Sequence, residues 1–117
     1  MANKINRQNV MITVSKDTSL TLQKLKVMEF EKTRRNVTKR DIIKMLLDRY
    51  ESDEGYRKHV DECISRTKEK VRDRVSVEMT DQDKIRLYHI TIDKKSRLHI
   101  VLDCLAQVYI NGISEGQ

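Results

Sequence analysis

The chain of 117 residues has no tryptophan, no proline, one phenylalanine, two cysteines and three glycines, and aromatics make up only 4% of it. So little aromatic surface argues against a deep aromatic ligand pocket. With no proline and only Gly55, Gly112 and Gly116, long loops are not expected and helices are favoured. No apolar run approaches the ~20 residues that a bilayer span needs. The first residues, MANKINRQ, lack the apolar stretch of a signal peptide. The expected setting is therefore the cytoplasm, with no membrane partner and with Cys63 and Cys104 reduced. A chain this short makes one compact domain or two very small ones, without room for a catalytic domain beside a binding domain.

Motifs of catalysis are missing as well. The sequence holds no GxxxxGK[ST], GxSxG, CxxC or HExxH. His59 and Cys63 are spaced i, i+4, but two ligands make a weak metal site, and a surface histidine beside a buried cysteine is the plainer reading. Asp53/Glu54 and Asp81/Asp83 stand beside helix starts, where acidic residues are expected anyway. No nucleophile, base and oxyanion donor come together. The expectation is a protein that is not an enzyme and takes no cofactor or metal.

What the chain has in abundance is charge. Charged residues are 36% of it, with 24 basic and 18 acidic side chains and a net charge of +6. The excess is uneven. Residues 1–50 carry 12 basic and 5 acidic residues, net +7. Residues 51–72 carry 6 of each, and residues 73–117 carry 6 basic and 7 acidic, net −1. A basic first part points to a polyanionic partner, most simply nucleic acid.

Hydropathy patterning divides the chain further. In residues 9–15, Val10, Ile12 and Val14 alternate with Asn9, Met11 and Thr13, the period of a strand with one buried face. Lys16-Asp17-Thr18-Ser19 carries helix-start chemistry. Leu20, Leu22, Leu25, Val27 and Met28 then recur at helical spacing to about Lys32. A polar hinge, Thr33-Arg34-Arg35-Asn36, follows. Thr38 with Asp41 three residues on resembles a capping box, and Ile42, Ile43, Leu46, Leu47 and Tyr50 give a second helix. The same order returns. Val75, Val77 and Met79 alternate with Arg74, Ser76 and Glu78, and Thr80-Asp81-Gln82-Asp83 starts a helix. Ile85, Leu87, Ile90 and Ile92 match Leu20, Leu22, Leu25 and Val27 at an offset of 65. After a short hinge, Asp93-Lys94-Lys95, Ser96 is expected to cap a last helix with Leu98, Ile100, Val101, Cys104, Leu105, Val108 and Tyr109. That helix matches the Thr38 helix at an offset of 58, so the second hinge is expected to be seven residues shorter. Between them, Tyr56, Val60, Cys63, Ile64, Thr67 and Val71 share one face of a connecting helix of ~16–18 residues, about 25 Å long. Gly55 is expected to mark its break from the preceding helix.

These spans give a basic tail at 1–8, a first strand–helix–helix unit at 9–50, a connecting helix within 51–72, a second unit at 73–112 and a short tail at 113–117. The fold expected is mainly α with a short two-stranded antiparallel β-ribbon. A lone strand cannot satisfy its backbone groups, and a ribbon is marginal unless helices cover it. Pairing the two strands turns Val10, Ile12, Val14, Val75, Val77 and Met79 into a shared core. Asn9, Met11, Thr13, Arg74, Ser76 and Glu78 then lie on the other face. A two-stranded ribbon fits the major groove of B-DNA.

Val10-Met11-Ile12-Thr13-Val14, a helix, and then Asn36-Val37-Thr38-Lys39-Arg40-Asp41-Ile42-Ile43-Lys44-Met45-Leu46-Leu47 resemble the ribbon–helix–helix (Arc/MetJ-type) DNA-binding family. The resemblance covers 9–50 in full and 74–110 more loosely. Members are usually homodimers in which each chain gives one strand. Here both halves stand in one chain, as in the duplicated forms among accessory DNA-binding proteins of conjugative plasmids. The resemblance implies sequence-specific binding of operator or origin DNA, for repression or for assembly of a DNA-processing complex. Two departures stand out. The family commonly has glycine in the hinge where Arg35 or Asn36 stands, and Glu78 takes a position where a basic or amide side chain is common.

The expected roles follow from side-chain chemistry. Asn9 pairs with adenine, Arg74 with guanine, Met11 touches a thymine methyl, and Thr13 and Ser76 donate or accept. Glu78 can accept from cytosine but repels nearby phosphates. Thr38, Lys39, Ser96 and Arg97 are expected at second-helix starts, where free N–H groups favour phosphate. Lys4 and Arg7 can add backbone contacts from the tail. The partner expected is double-stranded DNA, with two or more units able to self-associate on adjacent half-sites. The role is that of a transcriptional repressor or a plasmid transfer or maintenance factor. The competing reading is an adapter that docks a protein such as a relaxase through Arg57, Arg66 and their neighbours on the connecting helix.

Overall fold

In the computed structural model, residues 9–67 and 73–115 are described. The elements are β1 (Asn9–Ser15), α1 (Lys16–Thr33), α2 (Lys39–Ser52), α3 (Glu54–Arg66), β2 (Arg74–Thr80), α4 (Asp81–Lys94) and α5 (Leu98–Glu115). The chain is mainly helical with one two-stranded antiparallel sheet, as expected. Residues 1–8, 68–72 and 116–117 lie outside the described residues, so the Lys4 and Arg7 contacts and the place of Val71 do too.

The strands pair with Ile12 opposite Val77, Met11 opposite Glu78 and Thr13 opposite Ser76. Alternation then decides the faces. Ile12, Val14, Val77 and Met79 are buried and Val10 and Val75 are half-buried. The inner face meets Leu22, Leu25, Ile42, Ile43, Leu46, Leu47, Leu87, Val101, Leu102 and Leu105 in one apolar core. α1 packs on α2 and α5, and α4 packs on α5 and α2, so the helices of each strand–helix–helix stretch interleave with those of the other.

Local chemistry sets the helix ends. Ser15 caps α1 by accepting from the Thr18 N–H, and Thr80 caps α4 by accepting from the Asp83 N–H. Thr38 and Asp41 form a reciprocal capping box on α2: Thr38 Oγ1 accepts from the Asp41 N–H (3.2 Å) and Asp41 Oδ2 accepts from the Thr38 N–H (2.9 Å). The Ser96 cap is corrected. α5 begins one residue later, and the Arg97 carbonyl accepts from the N–H groups of Ile100 and Val101. The Ser96 N–H turns back to the Thr91 carbonyl (3.0 Å) and closes α4 instead.

Three further expectations change. First, the unequal spacing is mostly helix, not hinge: α1 has 18 residues and α4 has 14, a difference of about one turn. The left-handed hinge residue is Arg34 (φ 63°), with Lys95 (φ 55°) in the second hinge, and neither is glycine. Second, the connecting helix has 13 residues, about 20 Å, rather than ~16–18. Its break from α2 is made by Asp53, whose side chain accepts from the Tyr56 N–H (3.0 Å), and not by Gly55. Third, Leu20 (51% exposed), Val27 (48%), Ile85 (50%) and Ile92 (65%) are not core residues. At 100° per residue, position 20 lies 200° from position 22, on the far side of the helix. The sequence stripe thus merges two faces. The inward face is filled partly by polar residues, Thr18 and Thr21 on α1 and Asp83 and Thr91 on α4.

Candidate nucleic-acid interface

The outward face of the ribbon follows from its inward one. With Ile12 and Val77 held in the core, Asn9, Met11, Thr13, Arg74, Ser76 and Glu78 all lie exposed on the opposite side. Met11 is notable as an exposed thioether among polar neighbours. The register sorts the six into two ends. Met11 and Glu78 are directly paired, with Asn9 beyond them opposite Thr80. Thr13 and Ser76 are paired at the other end, with Arg74 beyond them opposite Ser15.

The start of α2 stands beside the first end. Arg40 Nε lies 4.0 Å from Glu78 Oε1, an ion pair in which both side chains remain partly exposed. Lys39 Nζ donates to Ser19 Oγ (2.9 Å), tying α2 to α1 across the hinge. Thr38 is exposed and its hydroxyl is committed to the capping box. The N–H groups of Lys39 and Arg40, in the first turn, belong to the set that a helix leaves without intrahelical partners. Arg97 is exposed and Ser96 half-buried at the shorter second hinge. Sequence reasoning placed Lys39 at this surface but passed over Arg40. The signal was its neighbour: two adjacent cations at one helix start. Its pairing to Glu78 links residues 38 positions apart and is invisible in the sequence pattern.

The connecting helix is held in place from several sides. α3 packs against α5, α2 and α4 and against neither strand. Tyr56 Oη donates to the buried Leu105 carbonyl (2.6 Å), and its ring meets Tyr109 edge-on at 6.1 Å. Burial, with nearby Tyr109, pushes the Tyr56 hydroxyl far above its usual range. Tyr50 Oη donates to Asp61 Oδ1 (2.6 Å), and Lys94 Nζ meets Asp61 Oδ2 (3.1 Å). Burial and that hydrogen bond raise the Tyr50 pKa, while the Asp61 hydrogen bond raises Lys94. The Arg57 guanidinium donates to the Tyr50 and Glu51 carbonyls (3.0 and 3.3 Å), satisfying the open end of α2. Arg57 is thus a structural side chain, while Lys58, Glu62 and Arg66 remain exposed.

Among the described residues, no group of three or more His, Cys, Asp or Glu is placed to hold a metal ion, and no helix is long and apolar enough to cross a membrane. His59 Nδ1 is 2.9 Å from the Gly55 carbonyl of its own helix. No protein-family model, curated protein or solved structure matches the chain.

Proposed function

We propose that the chain is a tandem ribbon–helix–helix protein that binds double-stranded DNA sequence-specifically, laying its β-ribbon in the major groove. It would act as a transcriptional repressor or as a plasmid transfer or maintenance accessory factor. The observation that carries this reading is the ribbon's division of faces. One side is anchored in the helical core, and the other displays an amide, a guanidinium, a thioether, two hydroxyls and a carboxylate, all exposed. Those groups suit base edges. The start of α2, with Lys39, adds positive charge and first-turn N–H groups for phosphates beside the ribbon.

A single ribbon reads only a few base pairs, so two or more units would line up on adjacent half-sites. The apolar side chains left open on α1 and α4, among them Val27 and Ile92, support contact between copies. The adapter reading has less support, because Arg57 is used to close α2.

The test is fluorescence anisotropy of the protein on duplex DNA from around its own gene against scrambled duplex, over a salt series. A preference that persists at moderate salt is expected, with a log–log slope reporting several displaced counterions. Asn9→Ala and Thr13→Ala should weaken specific binding with the fold intact, since both side chains are exposed. Equal, weak, salt-erased binding on both duplexes would make the charge generic.

A further inference from the structure

The two ends of the ribbon carry different chemistry, and their difference has a direction. A half-turn about the Ile12–Val77 pair exchanges Asn9 with Arg74, Met11 with Ser76 and Thr13 with Glu78. Each exchange changes the functional group: amide for guanidinium, thioether for hydroxyl, hydroxyl for carboxylate. Two identical chains would be forced by symmetry to place the same groups at both ends. A ribbon whose two strands come from unlike segments of one chain is free of that constraint.

The flanking helices deepen the asymmetry. Arg40 lies against Glu78 at the end that carries Asn9 and Met11. At the offset of 58 that matches the two second helices, Arg40 corresponds to Leu98, which packs against the core. Among the described residues, the opposite end has no such ion pair. It presents Arg74 with the hydroxyls of Thr13 and Ser76. A carboxylate entering a groove lined by phosphates is repelled unless a cation accompanies it. Arg40 supplies that cation from its place on α2.

We infer that the ribbon recognises a non-palindromic duplex site in a single orientation, with Arg74 over a guanine in one half and Glu78, partnered by Arg40, over a cytosine amino group in the other. This rests on the DNA-reading function proposed above. Arg74 donates to guanine O6 and N7, and Glu78 accepts from cytosine N4. The two residues lie four positions apart on β2. At ~3.3 Å per residue that is ~13 Å. With ~3.4 Å of helix axis per base pair, the guanine and cytosine contacts fall about four base pairs apart. Arg40 is a positioning residue, since it acts through Glu78.

The experiment uses the full chain to select duplexes from a library randomised over one ribbon footprint and its flanks, followed by anisotropy on the selected site. The expected consensus is non-palindromic. Palindromes built by doubling either half should bind about tenfold or more weakly, the scale of one lost bidentate base contact. Glu78→Gln should relax selection at the cytosine alone, and Arg74→Ala at the guanine alone. Arg40→Ala should weaken binding to the consensus, and adding Glu78→Gln should recover most of that loss, which a generic phosphate contact would not allow. Overlaid thermal melts keep unfolding out of the comparison. A consensus that is palindromic within one ribbon footprint, or equal binding to a doubled half, overturns the inference while leaving DNA reading in place. Enrichment of no sequence at all overturns both.

Discussion

The two strand–helix–helix stretches, 9–52 and 74–115, place matching apolar residues in the core but join to one another through different polar chemistry. On α4, Arg86 is a hub. It binds Asp83 Oδ1 (2.9 Å), Asp48 Oδ1 (2.8 Å) and Glu51 Oε2 (3.1 Å), bridging α4 to the end of α2. Burial lowers the Arg86 pKa, but the three carboxylates more than offset it and leave it raised. At the corresponding positions of α1, Thr18 Oγ1 donates to Asp103 Oδ1 (2.7 Å) and Thr21 Oγ1 accepts from Gln107 Nε2 (3.1 Å). One seam is built on a guanidinium and three carboxylates, the other mainly on hydroxyls and an amide.

The difference makes unlike stretches fit and like ones misfit. Two copies of the second stretch would bring Asp83, only 4% exposed, towards Asp103, and Arg86 towards Ala106 and Tyr109. Two copies of the first would set Thr18 against Met45. Asp83 would keep Arg86, its neighbour on α4, but would face a second carboxylate, and Arg86 would lose Asp48 and Glu51. Like charges brought together in a buried seam are costly. The polar seams therefore favour the pairing of β1 with β2 over pairing of like strands.

The largest expected effect comes from breaking the ionic seam. Arg86→Ala strips Asp83 of its partner and should destabilise the chain by about 2–3 kcal/mol in urea denaturation, below the fully buried case because Arg86 is partly exposed. A loss under ~1 kcal/mol would reduce the seam to an ordinary surface ion cluster. Breaking the other seam should cost less: Thr18→Val keeps the shape, removes the donor to Asp103, and is expected to cost about 1 kcal/mol by the same measurement. Costs in the reverse order would contradict the contrast between the seams.

The hinges allow a gain in both halves. Arg34 and Lys95 both hold left-handed backbone that glycine accepts without a Cβ clash. Arg34→Gly and Lys95→Gly should each raise stability by ~0.5–1 kcal/mol, with the melting temperature as the readout. A drop at either site would mean that glycine's unfolded-state freedom outweighs the relief.

The smallest effect lies at the junction between the stretches. The backbone N–H of Tyr56, with help from Arg49, holds the Asp53 carboxyl below the usual carboxylate range. A folded pKa below the unfolded one contributes stability above the ordinary carboxyl pKa. That contribution is lost as pH falls through the depressed value. Asp53→Asn keeps the cap but removes the charge. Its stability deficit should therefore be largest above about pH 5 and shrink towards acid. A deficit that stays constant with pH would assign the cap to geometry alone.

Much of the fold was legible because its signals are local. Strand alternation placed all six outward ribbon residues, and Thr38 with Asp41 announced a capping box that forms as expected. The errors came where helical periodicity was ambiguous. Leu20 and Val27 share a face with one another but not with Leu22, and apolarity alone does not say which face turns inward. At the site, base-edge candidates were readable from strand parity. Arg40 was not, because its partner lies on a different element.

By itself the sequence determined element type, strand parity, the starts of α2 at Thr38 and of α4 at Thr80, and the uneven charge, since each depends on residues within a few positions of one another. Tertiary structure alone decided which helix face is buried, how Arg86 joins Asp48, Glu51 and Asp83, and how α3 is fastened by Tyr50, Asp61 and Lys94. These contacts join residues distant along the chain. They exist only once packing excludes water and brings the partners together.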